Sequence, residues 1–245
     1  MSLKPLMLIV LAAGKGSRMG SDLPKVLQTL QGKAMIHHLL ASLVDLRAES
    51  TLVVIGPDMA AVEAAVAPLP TVVQNQQLGT GDAVKAARAQ LQHFEGDVLV
   101  VYGDTPMISS HTLERLLAVR RSESDPAVVV LGFRAKDPKQ YGRLLAGEQG
   151  ELLAIVEYLD ASEHLRRSKL CNSGVMAFDG KHLLAMLDAL ENNNAKGEYY
   201  LTDLVGIARD RGLNCAFIEG REEEVLGINT KAELAALEAT MECVS

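Results

Sequence analysis

The sequence predicts an α/β fold: a mostly parallel sheet with helices on both faces and a smaller second lobe, all within one domain spanning residues 1–245. Three observations predict it. Apolar runs with no polar alternation recur at residues 5–11, 51–55, 71–73 and 97–102, as expected of strands covered on both faces. Helical spacing follows these runs, and an alternation of strand and helix implies right-handed crossovers and a parallel sheet. Beyond about residue 135 the alternation gives way to a hairpin, in which residues 141–145 and 152–157 flank the turn sequence Gly147-Glu148-Gln149-Gly150.

Taken in order, the first run breaks into Ala12-Ala13-Gly14, at the edge where an open α/β sheet binds its ligands. Gln31-Gly32 reads as a turn, and residues 35–46 have the spacing of a helix packed on the sheet. The second strand closes at Gly56-Pro57, ahead of an alanine-rich helix at 60–67. The third runs into a polar segment, Gln74 to Ala83, which opens a helix reaching about Leu91. The fourth ends in Gly103-Asp104-Thr105-Pro106. Ser110 is placed to cap a helix at 113–121, and residues 127–131 continue the alternation. In the second lobe, residues 170–178 form a strand interrupted by polar residues, helices follow at 181–190 and 202–209, and 215–218 is a late strand. Thr230 opens the last helix with a capping box, Glu233 lying three residues on. The expected division is a first lobe at about 1–135, a smaller lobe at about 136–229 and a terminal helix at 230–245. No internal repeat or low-complexity segment interrupts it.

A formal charge of -7 and a pI near 5.4 argue against nucleic acid or an anionic membrane as the main partner. No apolar run approaches membrane-spanning length and the start lacks a cleavable secretory pattern, so the expected location is cytoplasmic. Cys171, Cys215 and Cys243 are odd in number and far apart, as buried thiols of a reducing compartment would be. The six histidines lack metal-ligand spacing and read as structural.

The chemistry centres on Leu11-Ala12-Ala13-Gly14-Lys15-Gly16-Ser17-Arg18-Met19, followed by Pro24-Lys25. Glycines after a buried strand let backbone N–H groups approach phosphate oxygens, and Arg18 and Lys25 add positive charge, so the stretch reads as a triphosphate cradle. It is neither a dinucleotide fingerprint, because Met19 stands where that motif needs glycine, nor a Walker A loop, because Gly16 follows Lys15. Asp104 ends a strand on the same rim and suits Mg²⁺, which takes one or two protein oxygens besides phosphate; Asn229, just before the last helix, is a candidate second ligand. Gln74 and Gln77 stand before Gly79-Thr80, where side-chain amides can read a base edge and the glycine lets a base lie against the backbone. In the second lobe Gly142, Glu157, Asn172, Tyr200 and Thr202 offer a carboxylate, an amide, hydroxyls and backbone able to grip a sugar.

These segments together resemble the uridylyltransferase domain of the bacterial enzyme that makes UDP-N-acetylglucosamine, the amino-terminal half of a bifunctional protein. The marks are Leu11 to Met19 with Pro24-Lys25, Gln77-Leu78-Gly79-Thr80, Tyr102-Gly103-Asp104, Tyr141-Gly142-Arg143, Ile155-Val156-Glu157, Asn172-Ser173-Gly174, Gly197 to Thr202, and Gly227-Ile228-Asn229. The resemblance implies a Rossmann-like fold of the nucleotide-diphospho-sugar transferase type, with a nucleotide-binding first lobe and a sugar-binding second lobe. It implies UTP and N-acetylglucosamine 1-phosphate as substrates, Mg²⁺ on Asp104 and Asn229, and Arg18 and Lys25 as catalytic cations. Leu11, Ala12, Ala13, Gly14, Gln74, Gln77, Gly79 and Thr80 would surround the nucleotide, and Tyr102, Gly142, Glu157, Asn172, Tyr200 and Thr202 would hold the sugar.

Two rivals remain open on the sequence: a nucleotidyltransferase for another sugar 1-phosphate or a cytidylyltransferase, and a regulatory subunit that binds a nucleotide sugar without turnover. The chain departs from the family at Ser17 and Ser173, where threonine is usual, at Ala34, where proline is usual, and at Leu159, where a lysine is common. It also stops where the family's trimerising β-helix begins, so the expectation is a monomer without acetyl-CoA chemistry.

Overall fold

The computed structural model describes residues 4–14, 16, 19–21 and 23–242; Lys15, Ser17, Arg18 and Cys243 lie outside the described residues. Eleven strands and ten α-helices follow one another as β1 (Leu6–Leu11), β2 (Thr29–Leu30), β3 (Lys33–Ala34), α1 (Met35–Leu43), β4 (Ser50–Ile55), α2 (Ala60–Val66), β5 (Thr71–Val73), α3 (Thr80–Lys85), α4 (Arg88–Leu91), β6 (Asp97–Tyr102), α5 (Ser110–Arg120), β7 (Val128–Arg134), β8 (Arg143–Ala146), β9 (Leu152–Val156), α6 (Glu163–Arg166), β10 (Leu170–Asp179), α7 (Gly180–Asp188), α8 (Leu204–Asp210), β11 (Cys215–Gly220), α9 (Glu222–Val225) and α10 (Lys231–Glu242) among the described residues.

The main sheet has the order β11-β7-β10-β6-β1-β4-β5. β1 pairs in parallel with β4 and β6, β4 with β5, and β7 with β11; β10 alone in this series runs against its neighbours β6 and β7. All six residues of β1 are buried, and successive side chains serve opposite faces. Met7, Ile9 and Leu11 join one core with α3, α4, α7 and α8, while Leu6, Leu8 and Val10 join another with α1, α2 and α5. This two-sided burial is why the run shows no polar alternation.

Several expectations shift locally. The helix expected at 35–46 ends as α1 at Leu43, continues as a 3₁₀ turn over Val44–Leu46, and stops at Arg47 with φ 49°. The helix expected to open out of Gln74 to Ala83 and reach about Leu91 starts at Thr80 and is divided into α3 and α4, where Ala87 N bonds to Val84 O instead of the carbonyl four residues back. Ser109, not Ser110, caps α5: its extended backbone lets Oγ accept from Thr112 N at 3.2 Å, and Ser110 is already helical. Gln31-Gly32 does form a turn, with positive φ at both residues joining β2 and β3. The capping box forms as expected, with Glu233 N on Thr230 Oγ1 at 3.2 Å and Thr230 N on Glu233 Oε2 at 3.1 Å. Cys171 and Cys215 are buried free thiols. No helix among the described residues is long and apolar enough to cross a membrane.

The boundary expected near residue 135 does not divide the sheet. β10 and β11 come from the stretch expected as the smaller lobe, yet they flank β7 in the main sheet. The polar interruption in β10 is a register shift between Asn172 and Met176. N-terminal to it the strand also pairs with β8 at Cys171, and β8 and β9 form the expected hairpin; C-terminal to it the strand enters the core beside β6.

Where β6 and β10 pair, Asp97 and Asp179 lie opposite one another. Arg120 at the end of α5, fully buried, joins them: Nη2 donates to Asp179 Oδ2 at 2.6 Å and Nε lies 3.3 Å from Asp97 Oδ1. Arg121 Nε donates to the other Asp97 oxygen at 2.6 Å.

Candidate active site

β1 and β6 end side by side, and Gly103 N donates to Leu11 O at 2.9 Å. A cavity of about 560 Å³ opens over this edge, lined by Leu11, Ala12, Ala13, Gly14, Gly16, Lys25, Val26, Gln74, Gln76, Gln77, Gly79, Thr80, Ala83, Tyr102, Asp104, Glu198 and Asn229. Every residue expected at the nucleotide therefore lines one cavity, together with Lys25, Asp104, Asn229 and Tyr102. Arg18 and Lys15 lie outside the described residues.

Lys25 forms the charged end. Gly16, at φ 63°, lies against it so closely that a Cβ there would come within 2.6 Å of the Lys25 Cβ. The Lys25 ammonium is ion-paired to Asp104 Oδ2 and donates to Asn229 Oδ1 at 2.7 Å. Asn229 is fixed from behind, its N on Glu233 Oε2 at 2.8 Å and its Nδ2 on Gly227 O at 3.0 Å, and Ile228 N donates to Asp104 O at 3.0 Å. The capping box of α10 thus holds the Asn229 amide beside the end of β6. Among the described residues no group of three or more His, Cys, Asp or Glu converges as a metal site. Two oxygens, one of them anionic, are the donor set that Mg²⁺ accepts when phosphate and water complete its shell.

The other end is built by the segment before α3. Gln74 Nε2 donates to Gly79 O at 2.9 Å and to Asp82 Oδ2 at 2.8 Å, and Gln77 Nε2 donates to Ala13 O. Gln77 thus ties the loop to the end of β1. Glycine at 79 is required by its φ of 104° and by its neighbour, since a Cβ would lie 2.7 Å from Tyr199 O. Tyr199 N donates to Leu78 O and Gly81 N to Tyr199 O, both at 2.8 Å, and Leu201 N donates to Thr80 Oγ1 at 3.0 Å. The segment carrying Tyr200 and Thr202 is in this way stitched to the loop before α3.

The residues expected at the sugar gather beyond Tyr102, away from the cavity lining. Thr202 Oγ1 donates to Glu157 Oε1 at 3.0 Å, a Cβ on Gly142 would sit 3.4 Å from both Glu157 oxygens, and Asn172 N donates to Gly142 O at 2.9 Å. Asn172 Oδ1 accepts from Gly174 N at 2.9 Å, and Gly174 leaves room for the Tyr102 ring, 2.7 Å from where a Cβ would be. The buried Tyr200 hydroxyl has no partner among the described residues. Burial raises the Glu157 carboxyl above the usual range, partly offset by the Thr202 hydroxyl. Burial, then the nearby carboxylates Glu157 and Asp160, push Asp203 up to about 6. Burial followed by the charges of Glu157 and Asp104 also raises the Tyr102 phenol, which stays protonated. Leu159 is half exposed.

Sequence reasoning passed over Gln76, Ala83 and Glu198 in the cavity wall and Asp82 behind Gln74. For Asp82 a signal existed, an acid in the first turn of a helix next to two amides; Glu198 had none beyond its place between Gly197 and Tyr199.

The solved structure of CMP:2-keto-3-deoxy-manno-octonic acid synthetase in complex with CTP superposes with a TM-score of 0.71 at 16% identity, covering 98% of this chain and 100% of that one, which supports the fold. The protein named bifunctional protein GlmU in Paramagnetospirillum magneticum is 54% identical over 242 residues, 99% of this chain and 54% of that protein. Its namesake in Rhodospirillum rubrum is 54% identical over 234 residues, 96% of this chain and 52% of that protein. The chain spans about half the length of the curated relatives it matches. The family model described as MobA-like NTP transferase domain matches residues 8–194, and the chain belongs to that family.

Proposed function

We propose that this chain transfers the uridylyl group of UTP to N-acetylglucosamine 1-phosphate, giving UDP-N-acetylglucosamine and pyrophosphate. The observation that carries the reading is the convergence of Lys25, Asp104 and Asn229 at one end of a cavity whose other end holds Gln74 and Gly79. The Glu157–Thr202 pair, outside the cavity lining, would meet the acceptor sugar. The similarity to the GlmU proteins supports the same substrates.

The attacking oxygen belongs to a phosphate that is already ionised, so the chain needs no nucleophile or general base of its own. What it must overcome is charge: two unit charges about 4 Å apart repel by roughly 1 kcal/mol in water and about 4 kcal/mol near a protein surface. Lys25 and the backbone N–H groups after β1 would offset this repulsion and stabilise the departing pyrophosphate. Asp104 and Asn229 would hold Mg²⁺, whose chemistry when bound is to neutralise the phosphates. Ala12 and Ala13, both buried, leave the nucleoside room at the end of β1, and Glu157 with Thr202 would orient the sugar.

Pyrophosphate release measured with panels of nucleoside triphosphates and sugar 1-phosphates tests the reading. UTP with N-acetylglucosamine 1-phosphate is the expected preferred pair; preference for another pair, or no release with any, would overturn it.

A further inference from the structure

We propose that Asp82 is a positioning residue for base selection. Its carboxylate fixes the Gln74 amide so that the cavity presents an acceptor where uracil carries a donor. The proposal rests on the UTP reading above and adds to it the means by which one pyrimidine is told from the other.

A side-chain amide can turn either its NH₂ or its oxygen to a ligand, and the two orientations read opposite base edges. At Gln74 the neighbours decide. Gly79 O at 2.9 Å and Asp82 Oδ2 at 2.8 Å are both pure acceptors, so only Nε2 satisfies them, and both of its hydrogens are used. A flipped amide would set its oxygen against two others and leave its donors unpaired, a cost that a buried site does not recover. Gln74 is buried in the cavity wall, and its Oε1 accepts no hydrogen bond among the described residues. That oxygen is what remains for a base. Leu78 N donates to the same Asp82 oxygen at 3.1 Å, which keeps the carboxylate in place. Asp82 does not line the cavity, so it acts through Gln74.

Uracil presents N3–H between two carbonyl oxygens, whereas cytosine presents a lone pair at N3. An acceptor fixed opposite N3 attracts the first and repels the second.

The test titrates UTP and CTP separately by calorimetry and measures pyrophosphate release with each, using the full chain. In Asp82→Ala the preference for UTP over CTP is expected to fall about tenfold, in binding and in kcat/KM alike, with the KM for the sugar phosphate unchanged. Asp82→Asn keeps a carbonyl oxygen for Gln74 Nε2 and Leu78 N, and is expected to stay within about threefold of wild type. A folded alanine variant with the wild-type ratio overturns the proposal, as does an asparagine variant that loses as much as alanine. If the alanine variant fails to fold, Asp82→Thr replaces the pure acceptor with a hydroxyl that also donates; the same loss is expected, and an unchanged ratio overturns the proposal. Equal binding of UTP and CTP by the wild type would also overturn it. Absence of pyrophosphate release from the wild type would overturn the proposed reaction instead, and the binding ratios would still decide the role of Asp82.

Discussion

Lys25 sits between an anionic and a neutral oxygen, so replacing it removes charge from that end of the cavity and unbalances Asp104. Lys25→Ala and Asp104→Ala are each expected to lower turnover by roughly 100-fold or more, the scale of losing a preorganised charge partner, without unfolding. Pyrophosphate release read beside circular dichroism checks this. Asp203 makes a second prediction. Its folded pKa is raised to about 6 from 3.8, so at pH 7 it is ionised in both states and the folded state alone bears the burial penalty. As pH falls through about 6 the folded carboxyl protonates and that penalty fades. Asp203→Asn is therefore expected to be more stable than wild type at pH 7.5, with the gain vanishing near pH 4, as urea unfolding at the two pH values would show. Asp104 was legible in the sequence because a buried strand, a glycine and an acid fix its place on the sheet edge by local rules. Asp82 was not, because its meaning lies in an amide orientation that only three-dimensional neighbours determine.

Among the elements, strands β1, β4 and β6 were legible because each carries an apolar run covered on both faces, and β5, a half-exposed edge strand, because its Val72-Val73 pair stands between turn signals. The antiparallel place of β10 was not, since periodicity identifies a strand without naming its neighbours. That placement brings Asp97 and Asp179 together, and Arg120, shared between them, offsets their charge with Arg121 on Asp97. Arg120→Ala takes the buried cation from Asp179 and leaves Asp97 with Arg121 alone, and is expected to destabilise the fold by about 3–5 kcal/mol. Urea unfolding measures it, and the KM for UTP in the folded fraction should be unchanged because the network lies at the opposite end of β6 from Asp104. The divided α3–α4 helix was invisible for a different reason: its break, at Ala86-Ala87, carries no proline or glycine, only a change of hydrogen-bond partner at Ala87.

At the scale of the molecule, the loop before α3 and the segment carrying Tyr200 and Thr202 are one connected unit. Thr80 Oγ1 accepts from Leu201 N, and Thr202, the next residue, donates to Glu157. Thr80→Val keeps the shape but leaves Leu201 N without that acceptor, a loss of about 1–3 kcal/mol. It is expected to raise the KM for both substrates together, which steady-state kinetics with each substrate varied in turn would show; a change confined to UTP would mean that the two sides are not coupled. The two-lobe division legible from the change in sequence pattern misses this unity, because the chain leaves the main sheet after β7 and re-enters it at β10. That order of strands has a consequence for synthesis on the ribosome. Strand β7, with the sequence Val-Val-Val-Leu-Gly-Phe-Arg, emerges before both of its neighbours: β10 ends at Asp179 and β11 at Gly220. At roughly 5–20 residues per second the wait lasts seconds. Through that interval the growing chain carries an unpaired, strongly apolar strand, and this is the segment for which a chaperone would have most to shield.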